Sequence, residues 1–403
     1  MANHIMVIHR WLDSYALYES YIDHAVCQVT YITTEMARQS IPAQAAAVIT
    51  VAATDDFVAL SEAAGSLTAR FGPPDRVLAL NEGDLDAAAL LRARLGCPGL
   101  APDDLRRFRD KLTMAQTVAA AGIRVPAFAD APDPEAVARF ADTNGWPVVV
   151  KPRRGTASRG VLRLESAADL SLLRGLPPEP RLVETFCDDP VYHLDGLWTG
   201  ACLGPWRASR YLNTCTGFTR GDVLGSVEVD DPGLVGPLGT FAAAVAGALS
   251  DDPWVFHLEA FMGPGGEGTP RLTFLEVGYR AGGAEIPFIW REVHGMDLMA
   301  AAAAVQLGQN PHLANGHRSP IGGWLLVPTP VAAPCRVVTA ELPAVTDGGP
   351  YAQVVPPVGY LVPRVGGYEH VGGRFRFRGE TTGDVEQAII QTAVQFKLDC
   401  IAE

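Results

Sequence analysis

The chain has 403 residues, 48% hydrophobic and 19% charged, a composition that supports a packed core and excludes a disordered chain. Its 32 basic and 45 acidic residues leave a formal charge of −13, which argues against a phosphate-backbone footprint and so against nucleic acid as a partner. No apolar run reaches about 18 residues, so the sequence predicts no membrane span. At about 150 residues per domain it predicts two or three domains.

Residues 4–9, HIMVIH, read as a buried strand. A helical stretch around 15–24 follows, then strands at 26–33 and 46–53. A helix ending at Gly72, a strand at 75–80 and a helix stopped by Gly96 and Pro98 complete the alternation. That pattern predicts a parallel sheet covered by helices. Ligands in such sheets sit beyond the carboxyl ends of the strands, where Asn81 and Glu82 follow 75–80; a polar helix-start loop explains the same residues. The character changes near 99–108. Beyond it come helices at 110–122 and 134–144, strands at 147–152 and 161–164 joined by RRGTASRG, and a strand at 181–186. Further strands are predicted at 192–199, 225–230, 254–261 and 271–277, with helices at 240–250 and 296–308. From about 319 the chain is rich in Gly, Pro and Val, with β-like GGWLLVP, PVGYLVP and GGRFRFRG before a final helix at 385–396.

The N-terminal MANHIMVIHRWLDS lacks a basic start followed by an apolar core, so it does not read as a signal peptide. The seven cysteines form no CxxC pair and lie near no histidine at metal-ligand spacing; they read as reduced thiols of a cytoplasmic protein.

Of the 32 basic residues only Lys111, Lys151 and Lys397 are lysines. Lysine is a compact charge on a thin stem, whereas arginine is a wide planar fork, so the few lysines are the first charged residues to examine. In PVVVKPRRGTASRGV a β-rich run delivers Lys151 to a loop whose small residues let backbone N–H groups approach anionic oxygens. The loop is not a Walker A sequence, and a strand rather than a helix follows it; an ordinary glycine hairpin is the plain alternative. In VFHLEAF and TFLEV, glutamates stand inside apolar strands. Period-2 alternation puts His257 and Glu259 on one face, and Glu276, Gly278 and Arg280 on one face if the strand runs that far. A buried carboxylate is costly unless it is paired or binds a cation, and two on adjacent strands suit Mg²⁺; a structural ion pair with Arg280 or His257 is the plain alternative. RLVETF offers backbone and a phenyl ring, Phe186, to a flat base, or else a core phenylalanine on an edge strand.

The order of these parts resembles the ATP-grasp superfamily of carboxylate–amine ligases, most closely the branch with L-amino-acid ligases and biotin carboxylase. The resemblance covers nearly the whole chain. It implies an α/β protein: a parallel α/β domain over 1–108, an ATP-grasp domain over 109–318 with a lid at about 112–182, and a β-rich part over 319–403 that completes the body. Carried over, it makes Lys111 and Lys151 the lysines on the ATP phosphates and Ser158, Arg159 and Gly160 the loop that folds over them. Glu184 and Phe186 become the adenine hinge, Glu259 and Glu276 the Mg²⁺ ligands, and Arg280 the arginine that meets the transferred phosphate. His257 is assigned to orienting a substrate carboxylate or accepting a proton. Two departures stand out: Gly278 replaces a frequent asparagine beside the metal, and Val191 replaces a ribose-binding glutamate, for which Asp188, Asp189, His193 or Asp195 are the candidate substitutes.

The resemblance implies ATP and Mg²⁺, small-molecule acid and amine substrates, and an amide bond made through an acyl-phosphate; a homodimer is an assembly this family forms. The rival readings are a bicarbonate- or formate-activating enzyme and a non-catalytic nucleotide-binding regulator. Glu82 and Glu285 are the candidate bases, and Tyr279 and Trp290 candidate pocket walls.

Overall fold

The structure, a computed structural model, describes residues 3–12, 14–311, 320–342, 348–364 and 371–403; the expected boundary at 318/319 lies outside them. The strands His4–His9, Gln28–Thr34, Ala47–Val51 and Arg76–Ala79 form a parallel sheet in the spatial order Ala47–Val51, Gln28–Thr34, His4–His9, Arg76–Ala79. Every residue of His4–His9 is buried, as a parallel strand covered on both faces requires. On one face Leu60, Leu67 and Leu91 of the helices Phe57–Phe71 and Leu85–Leu95 pack on Met6, Ile8 and Val77. The other face is covered partly from far along the chain, by Leu298 and Met299 of the helix Leu298–Gln306. The helix expected around 15–24 shrinks to one turn, Tyr18–Tyr21. It has no side-chain cap, and its tyrosines pack on one another instead.

His9 ends the first strand and is buried, with Nε2 2.7 Å from Ser40 Oγ and Nδ1 3.3 Å from the Tyr18 hydroxyl. Burial pulls its pKa down to about 4, outweighing the opposing effect of a hydrogen bond to the Trp11 backbone carbonyl. Below pH 6.5 the unfolded chain therefore binds a proton that the folded chain refuses. His9's contribution is complete above pH 6.5 and disappears as the pH falls to 4, at most about 3 kcal/mol. Denaturant unfolding at pH 7 and pH 4.5 should show His9→Gln losing less stability on acidification than the wild type; parallel losses would refute this.

The chain then builds two further layers. Phe128–Asp130, Arg181–Thr185, Val148–Pro152 and Leu162–Leu164 make an antiparallel sheet in that spatial order, with the helix Pro134–Asn144 packed on it as expected. Arg181–Thr185 is paired on both sides, so it is not an edge strand. An eight-stranded antiparallel sheet holds the four strands expected between 192 and 277, two from the C-terminal part (Ile321–Val327 and Gly373–Gly379), and two that the sequence concealed. Leu203–Tyr211 is one of these. Its Gly204-Pro205 start looks like a turn, but the register shifts between Leu203 and Trp206, and there a proline is tolerated. Ala352–Val354 is the other, a short edge. Cys335–Glu341, also unexpected, is the middle strand of a separate small sheet, paired with Leu361–Val362 on one side and with Lys397–Ala402, likewise unexpected, on the other.

The helix Pro232–Leu249 is by length and composition apolar enough to cross a membrane, contrary to the expectation that no such run exists. It lies against the eight-stranded sheet, with Leu238, Ala242, Val245 and Leu249 in the core beside Trp254 and Phe256. It starts earlier than the expected 240 because Asp231 caps it and Pro232 occupies its first turn. All seven cysteines are free thiols.

Candidate active site

A cavity of about 450 Å³ lies between the four-stranded antiparallel sheet and the eight-stranded sheet. Lys111, Lys151, Ser158, Arg159, Glu184, Phe186, Glu259 and Glu276 all line it. Gly160, His257 and Arg280 do not.

Lys111 stands at the first position of the helix Lys111–Ala120, where a cation has the wrong sign for the helix dipole. It is held there from outside. Its Nζ lies 2.9 Å from Glu276 Oε2 and donates to Gly155 O at 3.2 Å, and its backbone N–H donates to Arg153 O at 2.8 Å. Asp110 caps the same helix through the N–H groups of Leu112 and Thr113 and also pairs with Arg153 at 2.6 Å. The helix start and the loop after Lys151 are thus one unit. Burial would lower the Lys111 pKa, but Glu276 and Glu82 outweigh it and raise it.

Lys151 lies on the strand Val148–Pro152 with 5% of its side chain exposed, 2.8 Å from Glu184. The two are on neighbouring strands, so the expected hinge glutamate is the partner of the expected phosphate lysine. The loop beyond Lys151 is tight: Ala157 and Ser158 take left-handed φ of 55° and 54°, and Gly160, at φ 72°, turns the chain back. Left-handed backbone at two non-glycine residues is uncommon and concentrates at ligand-binding segments. The exposed Arg159 donates to Thr156 Oγ1 at 3.3 Å. Phe186 lines the cavity with the Arg163 guanidinium over its ring at 3.8 Å.

Glu259 and Glu276 face one another as register partners on the strands Trp254–Gly263 and Arg271–Gly278. The register shifts immediately after this pair, where Ala260 meets Phe274, so Leu275 is the extra residue of a bulge. Such a bulge re-aims the side chains beside it. Glu259 Oε1 accepts from the Tyr211 hydroxyl at 2.9 Å. Burial would raise the Glu276 carboxyl, but Lys111 and Lys151 outweigh it and hold it well below the usual range. Two carboxylates on facing positions, which offer oxygen donors, fit a hard divalent cation such as Mg²⁺. Gly278 ends the strand and offers no donor.

Arg280 lies beyond that strand end, 2.8 Å from Glu82 Oε2 through both Nε and Nη2. Glu82 also pairs with Arg109. Burial would raise the Glu82 carboxyl, but Arg280 and Arg109 outweigh it and lower it. Glu285 is buried against Arg374 and Arg376, each at 3.3 Å. Neither carboxylate is therefore free to serve as the base. Tyr279 stacks on Trp254 and Trp290 is buried in the core; neither lines this cavity. His257 Nε2 lies 3.6 Å from Glu259 Oε1. Of the candidate substitutes for ribose contact, Asp188 and Asp189 line the cavity, while His193 and Asp195 are buried and bonded to each other at 2.7 Å.

The sequence reading missed the far wall. Residues 212–223, between Leu203–Tyr211 and Leu224–Glu228, form a hook that brings Thr214, Cys215, Arg220 and Asp222 to the cavity. Gly217 lies close under Asp222 in it: a Cβ there would sit 2.7 Å from Asp222 Oδ2 and push that side chain aside. Phe218 and Cys215 anchor it on the core. The hidden strand is the lost signal: with Leu203–Tyr211 recognised, 212–223 would read as a hairpin loop above the same face.

No family model matches the chain. Over 105 residues it is 36% identical to the uncharacterized protein y4rH of Sinorhizobium fredii (strain NBRC 101917 / NGR234); the match spans 24% of this chain and 22% of that protein. Solved structures match end to end. An L-amino acid ligase from Bacillus licheniformis superposes with a TM-score of 0.73 at 17% identity, over 100% of this chain and 99% of that one. An N5-carboxyaminoimidazole ribonucleotide synthetase from Thermotoga maritima gives 0.68 at 14%, over 100% of both chains. A biotin carboxylase from Campylobacter jejuni gives 0.67 at 14%, over 99% of this chain and 92% of that one. At such identities the likeness speaks for the fold, and it does so over the full length: this polypeptide has the ATP-grasp fold.

Proposed function

We propose that the chain is an ATP-dependent carboxylate–amine ligase that activates a small acid, such as an amino acid, as its acyl-phosphate and joins it to an amine, releasing ADP and phosphate. The observation that carries this reading is the facing pair Glu259 and Glu276, set with Lys111 and Lys151 in one cavity between two sheets. Phosphoryl transfer needs positioning and charge neutralisation more than covalent help, and this residue set offers both. Lys111 and Lys151 would exchange their present carboxylate partners for phosphate oxygens. The 155–160 loop would cover the phosphates with backbone N–H groups, and Phe186 would meet the base. Glu259 and Glu276 would hold Mg²⁺, which when bound neutralises phosphate charge.

The four-stranded antiparallel sheet, most of which falls in the lid at about 112–182, would close over the cavity and keep water from the acyl-phosphate. Arg280 would steady the charge that develops on the acyl oxygens. His257 would orient the acid or take a proton from the amine.

The test is phosphate release from Mg-ATP against paired amino acids, dipeptides and small organic acids. Release that requires one acid–amine pair is expected, and Lys151→Ala should lower it at least about a hundredfold while the protein stays folded. ATP turnover that is indifferent to every acid, or a Lys151→Ala protein as active as wild type, would overturn the reading.

A further inference from the structure

Asp195 is a buried charge that the proposed reaction leaves unused. It lies on the strand Val191–Trp198 as the register partner of His257, so both side chains share the face that bears Glu259. Its two oxygens are divided between two imidazoles. Oδ1 is 2.9 Å from His257 Nδ1, and Oδ2 is 2.7 Å from His193 Nδ1. An ionised carboxylate can only accept hydrogen bonds, so each Nδ1 carries the proton. Burial would raise the Asp195 carboxyl, but His257 and His193 outweigh it and hold it far below the usual range.

The two histidines then differ. His193 is closed off, with Nε2 2.7 Å from Ser226 Oγ. His257 turns Nε2 toward Glu259 Oε1 at 3.6 Å, longer than a hydrogen bond. The segment after Gly278 rests on the pair from above. A Cβ on Gly282 would collide with Asp195 Oδ1 and come within 3.0 Å of His257 Nδ1. That segment carries Arg280 two residues earlier.

We propose that Asp195 is a positioning residue: by accepting from His257 Nδ1–H it fixes the rotation of the ring so that Nε2 faces Glu259, and it seats the loop that carries Arg280. His193 and Ser226 brace the carboxylate from the other side. A buried carboxylate that accepts from one ring nitrogen is a general means of aiming the other.

A metal shared by His193, Asp195 and His257 is the competing arrangement, since their ligand atoms all lie within 4.8 Å of one another. The spacings speak against it. Contacts of 2.7 and 2.9 Å are hydrogen-bond lengths. Two ligands on one tetrahedral ion with bonds of about 2.0–2.1 Å stand about 3.3 Å apart.

The kinetic side of this inference rests on the ligase reading; the spectroscopic side does not. Long-range ¹H–¹⁵N spectra of the wild-type histidine rings, assigned with His257→Gln and His193→Gln, should show a proton on Nδ1 of both rings. Asp195→Asn should move the His257 signals. It should also lower turnover about 10–100-fold while the KM for ATP stays within about twofold. An unprotonated His257 Nδ1 in the wild type, stoichiometric zinc in the purified protein, or wild-type turnover in Asp195→Asn would each overturn the inference. So would a fall in turnover matched by a rise in the KM for ATP and a lower melting temperature, which is the mark of a merely structural role. If Asp195→Asn does not fold, or if the wild type releases no phosphate with any acid–amine pair, the proton on His257 Nδ1 decides alone.

Discussion

Glu276→Gln should lower turnover about a thousandfold, roughly 4 kcal/mol of transition-state stabilisation, and leave the protein folded. Two effects add. The variant removes half of the facing carboxylate pair that fits a divalent cation. It also releases Lys111, whose Nζ is held 2.9 Å from Glu276 at a helix position that repels cations. The Glu276 side chain is 34% exposed, so the amide is readily solvated. Stability should fall by only about 1–2 kcal/mol, the cost of leaving Lys111 with Gly155 O and a more distant Glu82. Phosphate release and urea unfolding on the same preparations measure both quantities. Turnover within tenfold of wild type would remove Glu276 from the site.

Glu276 is legible in the sequence because its cost is local: a carboxylate in an apolar strand asks for a partner. The same reasoning finds Glu259, and the scarcity of lysine points to Lys111 and Lys151. Three-dimensional placement adds what spacing cannot. Period-2 counting puts His257 and Glu259 on one face of one strand, but it does not say that a bulge at Leu275 sets Glu276 opposite Glu259. Alternation places Arg280 on the strand face with Glu276, but the strand ends at Gly278 and Arg280 turns to Glu82. The expected α/β start, the Lys151 hairpin and the last long helix follow from short-range patterning, and they are present. What the sequence hides lies where chemistry and pattern conflict: a strand opened by Gly204-Pro205, short edge strands, and the hook at 212–223.

Glu82→Ala should destabilise the protein by about 3 kcal/mol, and it should also cut turnover. Glu82 follows the strand Arg76–Ala79, at the carboxyl end of the parallel sheet, and its carboxylate joins Arg109 to Arg280. Arg109 is only 7% exposed, so losing this partner leaves a buried cation with Asp86 as its remaining anion, at 3.1 Å. Breaking one side of a buried pair costs more than the pair contributes, because the orphaned charge cannot return to water. Glu82→Gln keeps the shape but removes the charge, so it should recover little of the loss; Glu82→Asp keeps the charge but shortens the reach, so it should recover part. The kinetic effect separates from the stability effect. At a temperature where every variant is fully folded, Glu82→Ala should still turn over at least about tenfold more slowly, because Arg280 has lost the carboxylate that holds Nε and Nη2. If Glu82 were instead a base, Glu82→Gln would abolish turnover without changing the unfolding midpoint. A carboxyl that two arginines hold below its ordinary range makes the opposite pattern the expected one.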